Sequence, residues 1–325
     1  MSLRKVVDCV RRHKKFLITT HANPEGDALG SELAFYGLLR KMGKGAVIIN
    51  EDPVPAEYAF LPGIQNIQLY REDLRDIKFD CFVILDCSDL DRCKRVCRLY
   101  AKDSPALNID HHISNRGFGT VNWVEPHASS CSEMVFKLYK GLHVPFDKTT
   151  ALLLYVGIFT DTGSFRYSNT TYFTHKMASE LLKFNLDVNK LYNNVYGNIP
   201  ISDIRLLLKI LPMLKIEPGG RIAWFQIKQE MLRNKKLSFD LSENLLSFAR
   251  LIKDIEAVAL FKENLGVKDE IRVNLRSQGK VDVNEVAKFF GGGGHKTASG
   301  ATIKGKLEDV RKMVLAEIRK ALSQL

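Results

Sequence analysis

The apolar positions of the first half fall into short, nearly continuous runs separated by stretches of helical spacing. FLITT (Phe16 to Thr20), AVIIN (Ala46 to Asn50), CFVILD (Cys81 to Asp86) and ALNID (Ala106 to Asp110) read as strands. Runs without polar alternation suit a parallel sheet covered on both faces. Between the first two, Leu29, Leu33, Tyr36 and Leu39 recur at helical spacing, which predicts a helix over Ala28 to Met42 closed by Gly43. Further helices are predicted around Ser132 to Tyr139, Thr149 to Phe159 and Thr174 to Phe184. Strands alternating with helices in this way define a doubly wound α/β domain with a mainly parallel sheet.

From Asn185 to Leu214 the chain turns polar and then helical, with breaks at Pro200 and Pro212. Beyond Pro218-Gly219-Gly220, RIAWFQI, EAVALF and IRVNLR are strand-like, with helices around Ser242 to Arg250, Asn284 to Phe290 and Leu307 to Leu322. The expected organisation is a first domain over 1–190, a helical connector over 191–215 and a smaller mixed α/β domain over 216–325, with a ligand cleft between the domains.

The 325 residues, 45% apolar and 26% charged, are enough for two cores and exclude a disordered tail or a low-complexity chain. No run approaches the roughly 18 apolar residues of a membrane span, and the basic N-terminus has no apolar h-region, so a cytoplasmic location is expected. The six cysteines (Cys9, Cys81, Cys87, Cys93, Cys97 and Cys131) all lie in the first half. Cys93 and Cys97, one helical turn apart, hint at a metal, but no second pair follows and reduced structural thiols are the expectation. A formal charge of +11 favours polyanionic partners such as nucleotides or short nucleic acids.

The residues that change the picture stand at the ends of the expected strands. FLITT is followed by His21, Glu25 and Asp27, CFVIL by Asp86, ALNI by Asp110, His111 and His112, and the Ala151 run by Asp161. Loops at the carboxyl ends of an open α/β sheet gather at one edge, where ligands bind. Carboxylates so crowded raise one another's pKa unless a cation is present, and mixed imidazole and carboxylate donors suit Mn²⁺, Fe²⁺, Co²⁺ or Zn²⁺. A strand-end Asp is often only a helix cap, and paired histidines are often surface residues. Convergence of four chain segments argues for a site, whereas His13, His127, His143 and His175 have no comparable company.

HANPEGDALGS, ILDCSD, NIDHH and TDTGSF, in this order, resemble the DHH phosphoesterases, and Arg276-Ser277 with GGGGHKTASG resembles their associated C-terminal domain. The resemblance spans nearly the whole chain and implies two divalent ions, with Mn²⁺ expected. It implies that His21, Glu25 and Asp86 hold one ion and Asp27, Asp86, His111 and Asp161 the other, while Asp110 supports the triplet and His112 polarises or protonates the substrate. Where the family usually has HxxPDxD, this chain has Glu25 in place of the first Asp, and we expect it still to ligate. Arg276, Ser277, Gly292, Gly293, Gly294, His295, Lys296 and Arg250 are the expected substrate-binding residues.

The subgroup of nanoRNases and 3'-phosphoadenosine 5'-phosphate (pAp) phosphatases is the expected one. The partners implied are short RNA oligonucleotides and nucleotides such as pAp, with no membrane and room for a homodimer. Rival readings are hydrolysis of linear or cyclic dinucleotides, RecJ-type exonuclease action, and a nucleotide- or RNA-binding protein whose catalysis has decayed.

Overall fold

The computed structural model describes residues 3–101, 104–197, 199–232, 241–263, 267 and 269–324. It divides into two compact units, Met1–Gly197 and Asn198–Leu325.

The first unit comprises α1 (Leu3–Arg12), β1 (Lys15–Thr19), α2 (Gly26–Lys41), β2 (Gly45–Asn50), β3 (Ile67–Leu69), β4 (Cys81–Leu85), β5 (Ala106–Asp110), β6 (Val121–Val124), α3 (Cys131–Leu142), α4 (Lys148–Asp161), α5 (Tyr172–Leu182) and α6 (Val188–Tyr196). Its six strands are all parallel, in the order β3-β2-β1-β4-β5-β6. The order reverses between β1 and β4, which makes their carboxyl ends the switch point of the sheet. Every residue of β4 and β5 is buried, as continuous apolar runs require when both faces are covered.

The two faces are covered by different means. On one, Phe16, Ile18, Ile48, Val83 and Ile109 pack with Val6, Leu29, Leu38, Met134 and Leu154 from the α-helices. On the other, Leu17, Ile49, Phe82 and Ile84 meet Tyr70, Cys93 and Val96. Cys93 and Val96 belong to a 3₁₀ segment, Leu90–Leu99, kinked where Lys94 takes a φ of 53°. Cys93 and Cys97 therefore do not share the face of an α-helix, and Cys93 lies 3.7 Å from Cys87 instead.

The second unit contains α7 (Ile201–Ile210), β7 (Lys215–Ile216), β8 (Ile222–Ile227), α8 (Gln229–Leu232), α9 (Leu241–Arg250), β9 (Ala257–Glu263), β10 (Glu270–Ser277), α10 (Val283–Phe289), β11 (Gly293–His295), β12 (Ala298–Lys304) and α11 (Leu307–Ser323). Its sheet, ordered β11-β12-β10-β9-β8-β7, is mixed, with only β8 and β9 parallel. Val286, Val310, Val314 and Ile318 from α10 and α11 cover one face, and Leu206, Ile210, Leu245 and Leu246 from α7 and α9 the other. The segment expected as a connector is shared out, α6 falling in the first unit and α7 in the second. Among the described residues no helix is long and apolar enough to cross a membrane.

Helices α2 and α4 approach closely because glycines face the crossing. A Cβ on Gly30 would lie 2.5 Å from the Leu153 carbonyl oxygen, whereas one on Gly37, in the same helix, would meet nothing nearer than the Tyr139 hydroxyl at 3.5 Å. We predict opposite signs for the two alanine substitutions. In urea titrations Gly30→Ala loses about 1–3 kcal/mol through overpacking, and Gly37→Ala gains about 0.5–1 kcal/mol from reduced unfolded-state entropy.

Candidate active site

Because β1, β4 and β5 run parallel, their final residues deliver His21, Asp86 and the Asp110-His111-His112 triplet to one edge of the sheet. Asp27 enters from the first turn of α2 and Asp161 from the last residue of α4. Asp86 is central. It adopts a left-handed φ of 53°, rare for a residue with a side chain, while its N–H donates to the Ile109 carbonyl at 3.0 Å. Its carboxylate is buried among His21 Nε2 at 3.6 Å, His111 Nε2 at 3.4 Å and His112 Nδ1 at 3.6 Å. His111 Nε2 also lies 3.9 Å from Asp27 and 3.7 Å from Asp161.

These separations exceed the 2.7–3.2 Å of a hydrogen bond. They approach the spacing of two donors on one cation, since bonds of 2.0–2.2 Å at tetrahedral angles put donors about 3.4 Å apart. Donor atoms of Asp27, Asp86 and His111 all lie within 4.8 Å of one another, and so do those of Asp86, Asp110 and His112. Asp86 Oδ1, common to the centre, is buried without a hydrogen-bond partner. A buried acceptor left so costs free energy unless a cation or donor meets it.

The surrounding hydrogen bonds fix the donors in ligand orientation. His21 Nδ1 donates to the Ala22 carbonyl at 2.8 Å and His111 Nδ1 to the Ala128 carbonyl at 3.3 Å, so each presents Nε2 to the carboxylates. Asp27 accepts from Cys131 N at 2.6 Å and Ser132 N at 2.8 Å, buried amides at the start of α3 that have no acceptor within the helix. Asp110 accepts His112 Nδ1–H at 2.7 Å and Asn115 Nδ2–H at 2.6 Å. Asn169 Nδ2 donates to the Asp161 carbonyl and carboxylate.

The electrostatics fit the same donor set. Burial, reinforced by Asp86, pushes Asp27 up to about 6. Burial likewise lifts Asp161 well above the usual range, against the pull of His111, with Asp27, Asp86 and Glu25 adding repulsion. Burial opposes the charge of Asp86 too, but His111, His21 and His112 outweigh it and hold that carboxyl well below its ordinary value. His111 is raised because its three carboxylate neighbours outweigh burial. Two carboxyls resisting ionisation beside histidines drawn towards protonation is a cluster that wants positive charge, and divalent cations fit it.

Of the expected ligands, the structure thus brings together His21, Asp27, Asp86, His111 and Asp161. Glu25 is the exposed N-cap residue of α2, with no side-chain cap bond, and its charge acts on Asp161. Sequence reasoning missed the residues that hold this site. Asn108 bonds the Ile84 and Cys87 carbonyls on either side of Asp86, and Asn115 bonds both Asn108 and Asp110. A Cβ on Gly157 would collide with Ser132 and Asp27. Asn108 opens NIDHH and Asn115 follows that motif by three residues, the one signal that could have found them.

In the second unit, strand register places His295, Ala298 and Arg276 side by side across β11, β12 and β10, so the two donors share a sheet face with only a methyl group between. Arg276 is held by Glu243 at 2.5 Å and donates to the Leu275 carbonyl at 2.9 Å. Lys296 is exposed beside them, and Arg250 ends α9, its carbonyl accepting from Gln278 at 2.7 Å. Ser277 is fully buried and its hydroxyl donates to the Val281 carbonyl at 2.7 Å, so it holds a turn. The glycines also have a packing reason. Gly293 and Gly294 pair with Gly300 and Ser299 in the sheet, and a Cβ on Gly292 would run into the Gly300 carbonyl.

Fold and site together define an α/β phosphoesterase of the DHH type. Residues 15–158 match the DHH family N-terminal domain and residues 230–323 the DHHA1 domain, and the chain belongs to the DHH family. It is 31% identical over 310 residues to the bifunctional oligoribonuclease and PAP phosphatase NrnA of Thermus thermophilus, covering 94% of this chain and 90% of that one. Identity to the Bacillus subtilis protein of the same name is 27% over 302 residues, 92% of either chain. Among solved structures, an exopolyphosphatase-related protein of Bacteroides fragilis is similar with a TM-score of 0.87 and 28% identity, over 98% of this chain and 95% of that one.

Behind the site, Glu32 is fully buried, with Oε1 accepting from Asn50 Nδ2 at 2.8 Å and Oε2 without a partner. Burial, partly offset by Asn50 and His21, pushes it from 4.5 up to about 8. The folded chain therefore holds a proton that the unfolded chain releases between these values, and stability falls as pH rises through that window. We predict that Glu32→Gln removes about 1.4 kcal/mol per pH unit from that slope, measured by urea unfolding of the chelated protein at pH 5 to 8.

Proposed function

We propose that this chain hydrolyses RNA oligonucleotides of about two to five nucleotides to mononucleotides, and pAp to AMP, using two divalent ions, with manganese the ion we favour. The observation that carries the reading is the buried, unpartnered Asp86 Oδ1 at the centre of two donor sets. The names of the Thermus and Bacillus relatives support the substrate class. We place this activity in the cytoplasm.

His21, Glu25 and Asp86 would hold one ion, and Asp27, Asp86, His111 and Asp161 the other. Bound there, such a pair supplies Lewis acidity and a water-derived nucleophile at neutral pH for in-line attack on phosphorus. His112, oriented through Nδ1 by Asp110, would polarise the phosphoryl oxygen or deliver a proton to the leaving oxygen. Arg276, with His295 and Lys296, grips a phosphate by charge-assisted hydrogen bonds.

The test is turnover of pAp and of a 5'-labelled RNA dinucleotide with Mn²⁺, Mg²⁺ or EDTA, with Asp110→Ala as the blank. Cleavage that needs metal and vanishes in the blank is expected. A folded chain that binds one ion and cleaves neither substrate would overturn the reading in favour of a decayed, nucleotide-binding site, and Glu25→Ala that changes neither metal count nor turnover would remove Glu25 from the ligand set. We further predict that His112→Ala lowers kcat about 10²–10⁴-fold with metal content unchanged. Arg276→Ala is expected mainly to raise KM, by about tenfold or more, as loss of a charged hydrogen bond of about 1.5–3 kcal/mol requires.

A further inference from the structure

His13 and two of the cysteines, which the sequence leaves without company, meet in the fold. Cys9 lies on the buried face of α1, Cys81 is the first residue of β4, and His13 follows the end of α1. Their sulfurs are 3.9 Å apart, His13 Nδ1 is 3.6 Å from Cys9 Sγ, and one donor atom from each of the three falls within 4.8 Å of the others.

These distances are those of ligands sharing one ion. Two sulfurs each 2.3 Å from zinc at a tetrahedral angle stand about 3.8 Å apart, and a nitrogen at 2.0–2.1 Å stands about 3.5 Å from either sulfur. The sulfur–sulfur spacing and that between Cys9 Sγ and His13 Nδ1 agree with these values within about 0.2 Å, and the His13 and Cys81 donors lie within 4.8 Å of each other. All six cysteines are free thiols, so no disulfide competes for the pair. The backbone beneath is braced: Lys44 Nζ donates to the Arg11 and His13 carbonyls. Cys9 and Cys81 are buried and His13 is half-buried, which leaves one solvent-facing side for a water as fourth ligand.

The hydrogen bond between the two thiols lowers Cys9, with help from the charges of His13 and Arg12 against burial, and together with burial raises Cys81. His13 Nδ1 now donates to the Cys9 carbonyl at 2.9 Å, a bond that coordination would exchange. Cys81 and Asp86 bracket the five residues of β4, about 16 Å at the rise of a strand, so this cluster belongs to the opposite edge of the sheet from the candidate active site.

We infer that Cys9, His13 and Cys81 form a separate site for one thiophilic divalent ion, zinc by its donor set, that fastens α1 to the central strand of the first unit. Binding releases the thiol protons to solvent and changes no oxidation state.

The test is a Co²⁺ titration of the metal-free, reduced, full-length chain, read by the sulfur-to-cobalt charge-transfer absorption. The candidate active site has no thiol among its ligands and cannot produce that band. Cobalt added until binding saturates is expected to give it at an intensity of one thiol site per chain, zinc to abolish it, and Cys9→Ser/Cys81→Ser to lose it, while Cys87→Ser, which alters the other close thiol pair, keeps it. His13→Ala, at a half-buried position that leaves the core intact, is expected to weaken cobalt binding at least tenfold with an unchanged circular dichroism spectrum. Absence of the band in the parent chain, its loss in Cys87→Ser with retention in the double variant, or undiminished affinity in His13→Ala would each overturn the assignment.

Discussion

Everything at the active edge turns on one carboxylate that the fold buries without a hydrogen-bonded partner for one of its oxygens. Asp86 leaves β4 with a left-handed backbone, and its carboxylate lies among His21, His111 and His112. Such a conformation persists only where its surroundings over-determine it. Here Ile109 accepts the Asp86 N–H, and Asn108 bonds the carbonyls of Ile84 and Cys87 on either side. The strained residue is clamped from its own neighbours in the adjacent strand, so the parallel pairing of β4 with β5 supports the chemistry directly.

The strand ends were legible because a parallel sheet leaves a strong trace: short apolar runs, then a polar residue where the strand emerges. That rule places His21, Asp86, Asp110 and His111 without any knowledge of the fold, and α2 could be read from Leu29 to Leu39 by spacing alone. What could not be read depends on contacts distant in sequence. Nothing local to Asp27 says that its carboxylate will rest on the amides of Cys131 and Ser132, more than a hundred residues away, nor that Gly157 must lack a side chain for it to do so. Helix α1 was hidden by its basic surface, although Val6, Val7 and Val10 make a buried stripe.

The second unit shows the opposite difficulty. Its glycine run invites a phosphate-cradle reading, yet β11 takes Gly293 and Gly294 into a strand pair, and Gly292 is required by the approach of Gly300. Ser277, next to a well-placed arginine, is spent on the turn that follows β10. What survives is the row formed by Arg276, Ala298 and His295, and that row follows from register, which a sequence pattern fixes only up to an alternation of faces. Small Ala298 stands between the two long side chains of that row.

Clustering Asp27, Asp86 and Asp161 works against folding, because burial and mutual repulsion lift two of the three carboxyls out of their ordinary range. The fold answers with fixed dipoles before any ion arrives: the N-terminus of α3 under Asp27, the Asn169 amide at Asp161, and imidazoles oriented by backbone carbonyls. Those groups cannot neutralise the cluster, only hold its geometry. An ion that binds the folded chain alone stabilises it in proportion to the logarithm of its concentration over Kd. The electrostatic cost of the site is therefore also the source of its selectivity: a neutral arrangement would be more stable without the ion and would gain less from it. The same reasoning separates the two ends of β4. At Asp86 the donors repel one another and call for charge, whereas Cys9 and Cys81 already pack in the core of the first unit, so an ion there would add a brace to a fold already able to stand.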